Sequence, residues 1–428
     1  MTVRRTRVID KWRWLVAGAR RLAAAVPVLG LLVGVPVAPA AVGVAGRALA
    51  CDQPGVPAAG VPWPQRMLGF ERVRPVADGT GVVVAVIDTG VYASHPQLRD
   101  RVLTGVDLLT GLPGGNHACD THGTNVAGII AAAPTVDGVS GVAPGARILP
   151  VLVADRTASL SGSAEADPEL LAAGIDWARQ FGVDIINISM SFYNDNALVR
   201  NAVARAQAEG IVIVAAAGNE GGADSPNPTP YPAAYPGVIG VGAIDQSGLR
   251  DPDSGHGPYV DLVAPGVDVT VLQRGGGTWV VSGSSFAAAF VSGTVALLLS
   301  RWPDLTPEQV GQRLQATATP AAGPKDGYGA GVLSPYHAVT DQWTEASARP
   351  LPGLPSYAPP SPPSDAAARR AGLAAGVAVV AAVAVLAGAA LVPRGRRRRW
   401  RPGLAPPRAT STLDDRVRPP VRLFSDLE

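Results

Sequence analysis

The chain has 428 residues, of which 47% are hydrophobic and 16% charged, with 50 Gly and 40 Pro, and this excludes both a mainly disordered chain and one that is membrane throughout. The formal net charge of +2 hides a division: residues 1–50 carry eight basic side chains and one acid, residues 369–428 carry twelve arginines and four acids, and residues 51–368 keep 16 basic against 29 acidic. An acidic body excludes nucleic acid as its partner, because phosphate binding needs a surplus of Lys and Arg on the folded surface.

At the N-terminus, Arg4, Arg5, Arg7, Lys11, Arg13, Arg20 and Arg21 precede an uncharged stretch over 22–46, followed by Ala48, Leu49 and Ala50. This reads as a secretory signal peptide over 1–50, with a second possible cut after Ala40. An exported body sits in an oxidising compartment, so its two cysteines, Cys51 and Cys119, are expected to pair. Such a loop stabilises by about 4 kcal/mol in the chain-entropy picture. Residues 51–80 form a short N-terminal extension ahead of a body over 81–345.

Within that body, residues 82–87 are a continuous apolar, β-branched run ending at Asp88-Thr89-Gly90, as suits a strand buried on both faces of a parallel sheet. A similar run follows at 148–153. Asp167 with Pro168 behind it opens a helix to about Phe181, on which Leu171, Ile175 and Ala178 share a face. A strand at 184–188, a helix at about 197–209 and strands at 211–217 and 238–243 continue the alternation. Residues 285–300 read as a central buried helix, and Thr306-Pro307-Glu308-Gln309 as a capping box opening a surface helix. The expected fold class is α/β: a mostly parallel sheet with helices on both faces and ligands at the carboxyl ends of the strands.

Beyond the body, residues 350–363 hold seven prolines in fourteen positions, a polyproline spacer within a linker over 346–370. Fully extended at about 3.1 Å per residue, residues 349–368 reach roughly 60 Å. Residues 371–392 are 22 positions without a charged or polar side chain, the length that crosses a hydrocarbon core. Arg369 and Arg370 precede this helix, and Arg394, Arg396, Arg397, Arg398, Arg399 and Arg401 follow it. The positive-inside rule puts the Arg/Pro-rich tail, 393–428, in the cytoplasm and the body outside a single-pass cell-membrane anchor.

Three motifs carry the chemistry: Asp88-Thr89-Gly90, His122-Gly123-Thr124, and Gly283-Ser284-Ser285-Phe286-Ala287-Ala288. A serine hydroxyl becomes a nucleophile when an adjacent base takes its proton, which asks for His122 within reach of Ser285. The histidine in turn needs a carboxylate to hold its tautomer and stabilise the imidazolium, a role Asp88 can fill from a strand end. No His/Glu or Cys spacing suits zinc and no EF-hand spacing is present, so no cofactor is expected and no metal ligand is assigned, while carboxylates scattered in loops leave calcium open. His95, His117, His256 and His337 are read as structural or surface residues.

The order Asp, His, Ser on an α/β body resembles the subtilisin-like serine proteases, peptidase S8, over about residues 81–331. That resemblance implies a serine endopeptidase acting through Asp88, His122 and Ser285, with Asn219 of Ala217-Gly218-Asn219 as oxyanion donor. It also implies that Ser189, Met190, Ser191 and Gly218 line the substrate site, the segment from Asn187 to Ser191 pairing with extended substrate backbone. Two positions depart from the family pattern: Ser284 stands where threonine is usual, and Ala289 where proline is usual. The short N-terminal stretch, the cysteine three residues before His122, the Pro-rich linker and the C-terminal helix further resemble the mycosins, membrane-anchored subtilases of actinobacterial type VII secretion systems. This implies exported protein or peptide substrates and type VII membrane components as partners. The same likeness also implies an alternative, a structural part of a secretion membrane complex in which proteolysis is secondary or absent.

Overall fold

Strand β1 (Val83–Asp88) has five fully buried residues out of six, the pattern of a strand covered on both faces. In the computed structural model, which describes residues 55–57, 60–116, 119–135, 138–155, 167–342 and 365–397, it lies inside an eight-stranded sheet. The other strands are β2 (Gly105–Asp107), β3 (Leu112–Gly114), β4 (Arg147–Leu152), β5 (Ile185–Ile188), β6 (Val212–Ala216), β7 (Ile239–Ile244) and β8 (Leu262–Pro265). Their order is β3-β2-β4-β1-β5-β6-β7-β8, all pairs parallel except β2 with β3. A separate antiparallel ribbon joins β9 (Val269–Leu272) to β10 (Thr278–Val281).

Alternate strand residues point to opposite faces, so one strand feeds two cores. Val84 and Val86 join a cluster with α2 (His122–Ala131) and α5 (Ser284–Arg301). Ala85 and Ile87 join another with α3 (Pro168–Phe181) and α4 (Ala197–Ala208). Helix α3 starts and stops where its residues dictate: the Asp167 carboxylate accepts from Glu169 N at 2.8 Å, Pro168 occupies the first turn, and Gly182 ends it in the left-handed region. Helix α6 (Pro307–Thr317) has the expected capping box between Thr306 and Gln309.

The observed strands fall within one residue of most expected runs. Other elements were not visible in the sequence: α1 (Trp63–Leu68), the helical turns α7 (Lys325–Tyr328) and α8 (Pro335–Thr340), strands β2, β3, β8, β9 and β10, and above all α2. That helix is buried from Gly123 to Ala131, so it shows no polar face and no amphipathic period.

The described residues belong to two compact units, Met1–Thr344 and Glu345–Glu428. In the second, α9 (Asp365–Arg397) runs for 33 residues, longer than the apolar stretch alone, with Pro393 inside it and Arg394, Arg396 and Arg397 in its last turn. Alanines before the apolar run favour helix, and arginines complement the negative helix end. Two described helices are long and apolar enough to cross a membrane, α5 and residues 369–397, but 89% of α5 is buried in the body whereas none of the other is. The expected signal segment, most of the linker and residues 398–428 lie outside the described residues.

Candidate active site

The carboxyl ends of β1, β5 and β6 and the N-termini of α2 and α5 converge on a cleft of about 530 Å³. Asp88, His122, Ser189, Asn219 and Ser285 all line it, although 34 and 96 residues of chain separate Asp88 from His122 and Ser189 from Ser285.

Asp88 ends β1 and is fully buried. Its Oδ1 lies 2.7 Å from Nδ1 of His122 and accepts from Thr89 N at 2.7 Å. His122 opens α2, its backbone N–H donating to Asp120 Oδ1 at 2.8 Å. The residue after it has to be glycine: a Cβ on Gly123 would stand 2.2 Å from the Gly90 carbonyl oxygen and 3.2 Å from the Asp88 Cβ. This close approach brings the histidine onto the strand end. Thr89 Oγ1 accepts from Gly123 N at 3.2 Å, and Thr124 Oγ1 accepts from Tyr92 N at 2.9 Å, pinning helix to loop. The imidazole packs on Phe286 with ring centroids 5.3 Å apart and is 13% exposed, so its remaining ring nitrogen is available to the cleft.

Ser285 stands in the first turn of α5, behind Gly283, where the positive end of the helix dipole favours developing negative charge. Its hydroxyl donates to the Ser189 carbonyl at 2.9 Å. The chemistry asks for His122 within reach of this hydroxyl; both line the cleft, and among the described residues no hydrogen bond joins the two. The Ser189 carbonyl offers a fixed backbone acceptor, so attack calls for rotation of Ser285 about its Cα–Cβ bond.

Gly218, in the left-handed region at φ 82°, turns the chain after β6 and presents Asn219 to the cleft. Asn219 Oδ1 accepts from Ser284 N at 2.9 Å and from Ser284 Oγ at 3.0 Å, which leaves the amide nitrogen for the cleft. Ser284 Oγ is also 3.0 Å from the Gly218 carbonyl, so its one proton is shared between that carbonyl and Asn219 Oδ1, and the serine in the place of threonine keeps a hydroxyl beside Asn219. Ala289 is fully buried in an unbroken helix; loss of the proline leaves that turn intact. Met190 and Ser191 line the cleft with Gly218, and Ser191 Oγ lies 3.4 Å from the Ala216 carbonyl.

The sequence reading missed Asp120, Phe286 and Ser284 as partners of these groups. Asp120 had a signal, a carboxylate two residues before a helix start; the ring contact had none. Of the other histidines, His95 is buried and held below its ordinary value by desolvation, and His117 lies outside the described residues. Cys119 sits three residues before His122 and is not a free thiol; its expected partner Cys51 lies outside the described residues. Among the described residues no group of His, Cys, Asp or Glu is arranged to hold a metal.

A buried carboxylate holding a half-buried imidazole, with a serine at a helix start and a side-chain amide facing the same cleft, can form an acyl-enzyme and stabilise its oxyanion. Comparison with known proteins agrees. The family described as the subtilase family, peptidase S8, matches residues 79–331. The chain is 39% identical over 256 residues to subtilisin DY of Bacillus licheniformis, covering 60% of this chain and 90% of that protein. It is 36% identical over 329 residues to Mycosin-1 of Mycobacterium tuberculosis, covering 65% of this chain and 73% of that protein. The crystal structure of MycP1 from the ESX-1 type VII secretion system superposes with a TM-score of 0.59 at 33% identity, over 72% of this chain and 92% of that one.

Proposed function

This chain belongs to the subtilase family of serine endopeptidases, and from that premise we propose that it is a membrane-anchored, extracytoplasmic protease that processes exported proteins in type VII secretion. In this reading the substrate lies extended against Ser189, Met190 and Ser191, with Gly218 on the facing wall. A substrate backbone N–H takes over the Ser189 carbonyl and frees the Ser285 hydroxyl to turn toward His122. Ser285 Oγ then attacks the scissile carbonyl while His122 Nε2 takes its proton, Asp88 stabilising the imidazolium at Nδ1. The oxyanion is met by the Asn219 amide and the N-terminus of α5. Collapse expels the amine, which receives the proton from His122 and leaves an acyl-Ser285 ester. Water, deprotonated by the same histidine, hydrolyses the ester and regenerates the enzyme.

The single observation that supports this most is the 2.7 Å Asp88–His122 contact in one cleft with Ser285 and Asn219. Type VII substrates and partners are carried over from the likeness to the mycosins. The anchor is supported by the exposed apolar helix and its flanking arginines, with Arg394 onward facing the cytoplasm. A Cys51–Cys119 disulfide would tie the loop that delivers Asp120 and His122. The test is labelling by a fluorophosphonate probe: the wild-type chain takes up one label, and Ser285→Ala takes up none. A folded wild type that resists labelling would overturn the catalytic reading and leave a structural role in a secretion complex.

A further inference from the structure

Behind the nucleophile runs a buried line of polar side chains that the acyl-transfer steps do not use. Strand β5 is Ile185-Ile186-Asn187-Ile188, buried throughout, and its one polar residue, Asn187, is fully buried. With Ile185 it shares the sheet face that meets α5. On that helix, Ser292 lies seven positions after Ser285, two turns along the same face, and is fully buried as well.

Ser292 Oγ donates to Asn187 Oδ1 at 2.8 Å. Asn187 Nδ2 donates to Ser189 Oγ at 2.8 Å. Ser189 Oγ donates to the Ser285 carbonyl at 3.3 Å, while Ser285 Oγ donates to the Ser189 carbonyl at 2.9 Å. The last two residues therefore exchange hydrogen bonds, hydroxyl to carbonyl in each direction, and join the end of β5 to the first turn of α5.

The amide sets the sense of this exchange. A hydroxyl has one proton. Because Asn187 donates to Ser189 Oγ, that oxygen accepts on one side and sends its own proton to the Ser285 carbonyl. An asparagine in a strand face otherwise made of isoleucine is costly when unpaired, by about 1–3 kcal/mol, and here both ends of its amide are paired within a polar chain that ends at the nucleophile.

We propose that Asn187, braced by Ser292, is a positioning residue for catalysis: through Ser189 it holds the backbone of Ser285 at the height from which the hydroxyl swings between the Ser189 carbonyl and His122. The proposal rests on Ser285 as nucleophile. It adds that the nucleophile's setting is governed from the far side of the helix by a group that touches neither substrate nor reacting atoms.

The experiment compares the detergent-solubilised full chain as wild type, Ser285→Ala, Asn187→Ala, Ser189→Ala and the double variant. The second-order rate of fluorophosphonate labelling, its pH profile and the thermal melt are measured for each. Asn187→Ala should label about tenfold more slowly, the worth of one buried hydrogen bond. The rising limb of the pH profile should stay in place, because Asp88 and His122 are untouched. Ser189→Ala should show a similar loss, and the double variant no further loss than the larger single one. Wild-type labelling rates in Asn187→Ala with only a lower melting temperature would overturn the proposal, as would losses that multiply in the double variant. If Asn187→Ala does not fold, a wild-type labelling rate in Ser189→Ala overturns it alone. A failure of the underlying reading looks different: label persists in Ser285→Ala, or the folded wild type takes none.

Discussion

At Asn219 the side chain is exposed to the cleft while its oxygen is doubly held by Ser284, so its nitrogen is oriented before any substrate arrives. Preorganised donors act mainly on the transition state. Asn219→Ala is therefore expected to lower kcat by about 10²- to 10³-fold, the range measured for such a donor in subtilisin itself, and to change KM little. A loss expressed in KM instead would place Asn219 in ground-state binding. Asp88, His122 and Ser285 stand out as candidates in the sequence because each sits in a short motif whose residue types suit one chemistry. The hydroxyl of Ser285 could not be placed that way: it rests on the carbonyl of a residue 96 positions away, and Ser284 takes up its role through Asn219, 65 positions away.

Between elements, α3 and α4 pack side by side on one face of the sheet and are tied at the surface by Asp176. Its carboxylate accepts from Arg205 at 2.5 and 3.1 Å and from Arg179 at 3.2 Å. The Arg205 hydrogen bond, aided by Arg179 and opposed by desolvation, holds its pKa below the ordinary carboxylate value. A depressed folded pKa means that stability is present above the unfolded value, near about 4, and is lost as pH falls through the folded one. Asp176→Asn should accordingly lower Tm by about 2 °C at neutral pH, as partly exposed ion pairs do. The difference between variant and wild type should shrink as the pH is lowered from neutral through the folded value, below which the carboxyl is protonated in both states. A deficit that stays the same as the pH falls would show that packing is responsible. Helix α3 was legible at its start because Asp167 and Pro168 are local signals, whereas α2 was not, because a helix buried all round carries no polar stripe to mark its period.

For the whole molecule, the charge division and the Pro-rich spacer imply that body and anchor are separable. A chain truncated after Pro363 should be recovered as a soluble, folded body, checked by size-exclusion chromatography and circular dichroism; recovery only as aggregate would count against a boundary there. The residues by themselves determined the α/β class, the order of Asp88, His122 and Ser285, and the apolar C-terminal helix, because strand period, turn chemistry and uninterrupted apolar length are local properties of a chain. Only the tertiary structure decided that α5, which meets the same test of length and hydropathy as the C-terminal helix, is a core element, since 89% of it is buried within the body. It also decided that Asp88 and His122 meet at 2.7 Å and that Ser292 hydrogen-bonds Asn187, 105 residues away, in a chain that reaches Ser285 through Ser189. Such contacts depend on how a helix face seats on a strand face, and no pattern along the sequence encodes that register.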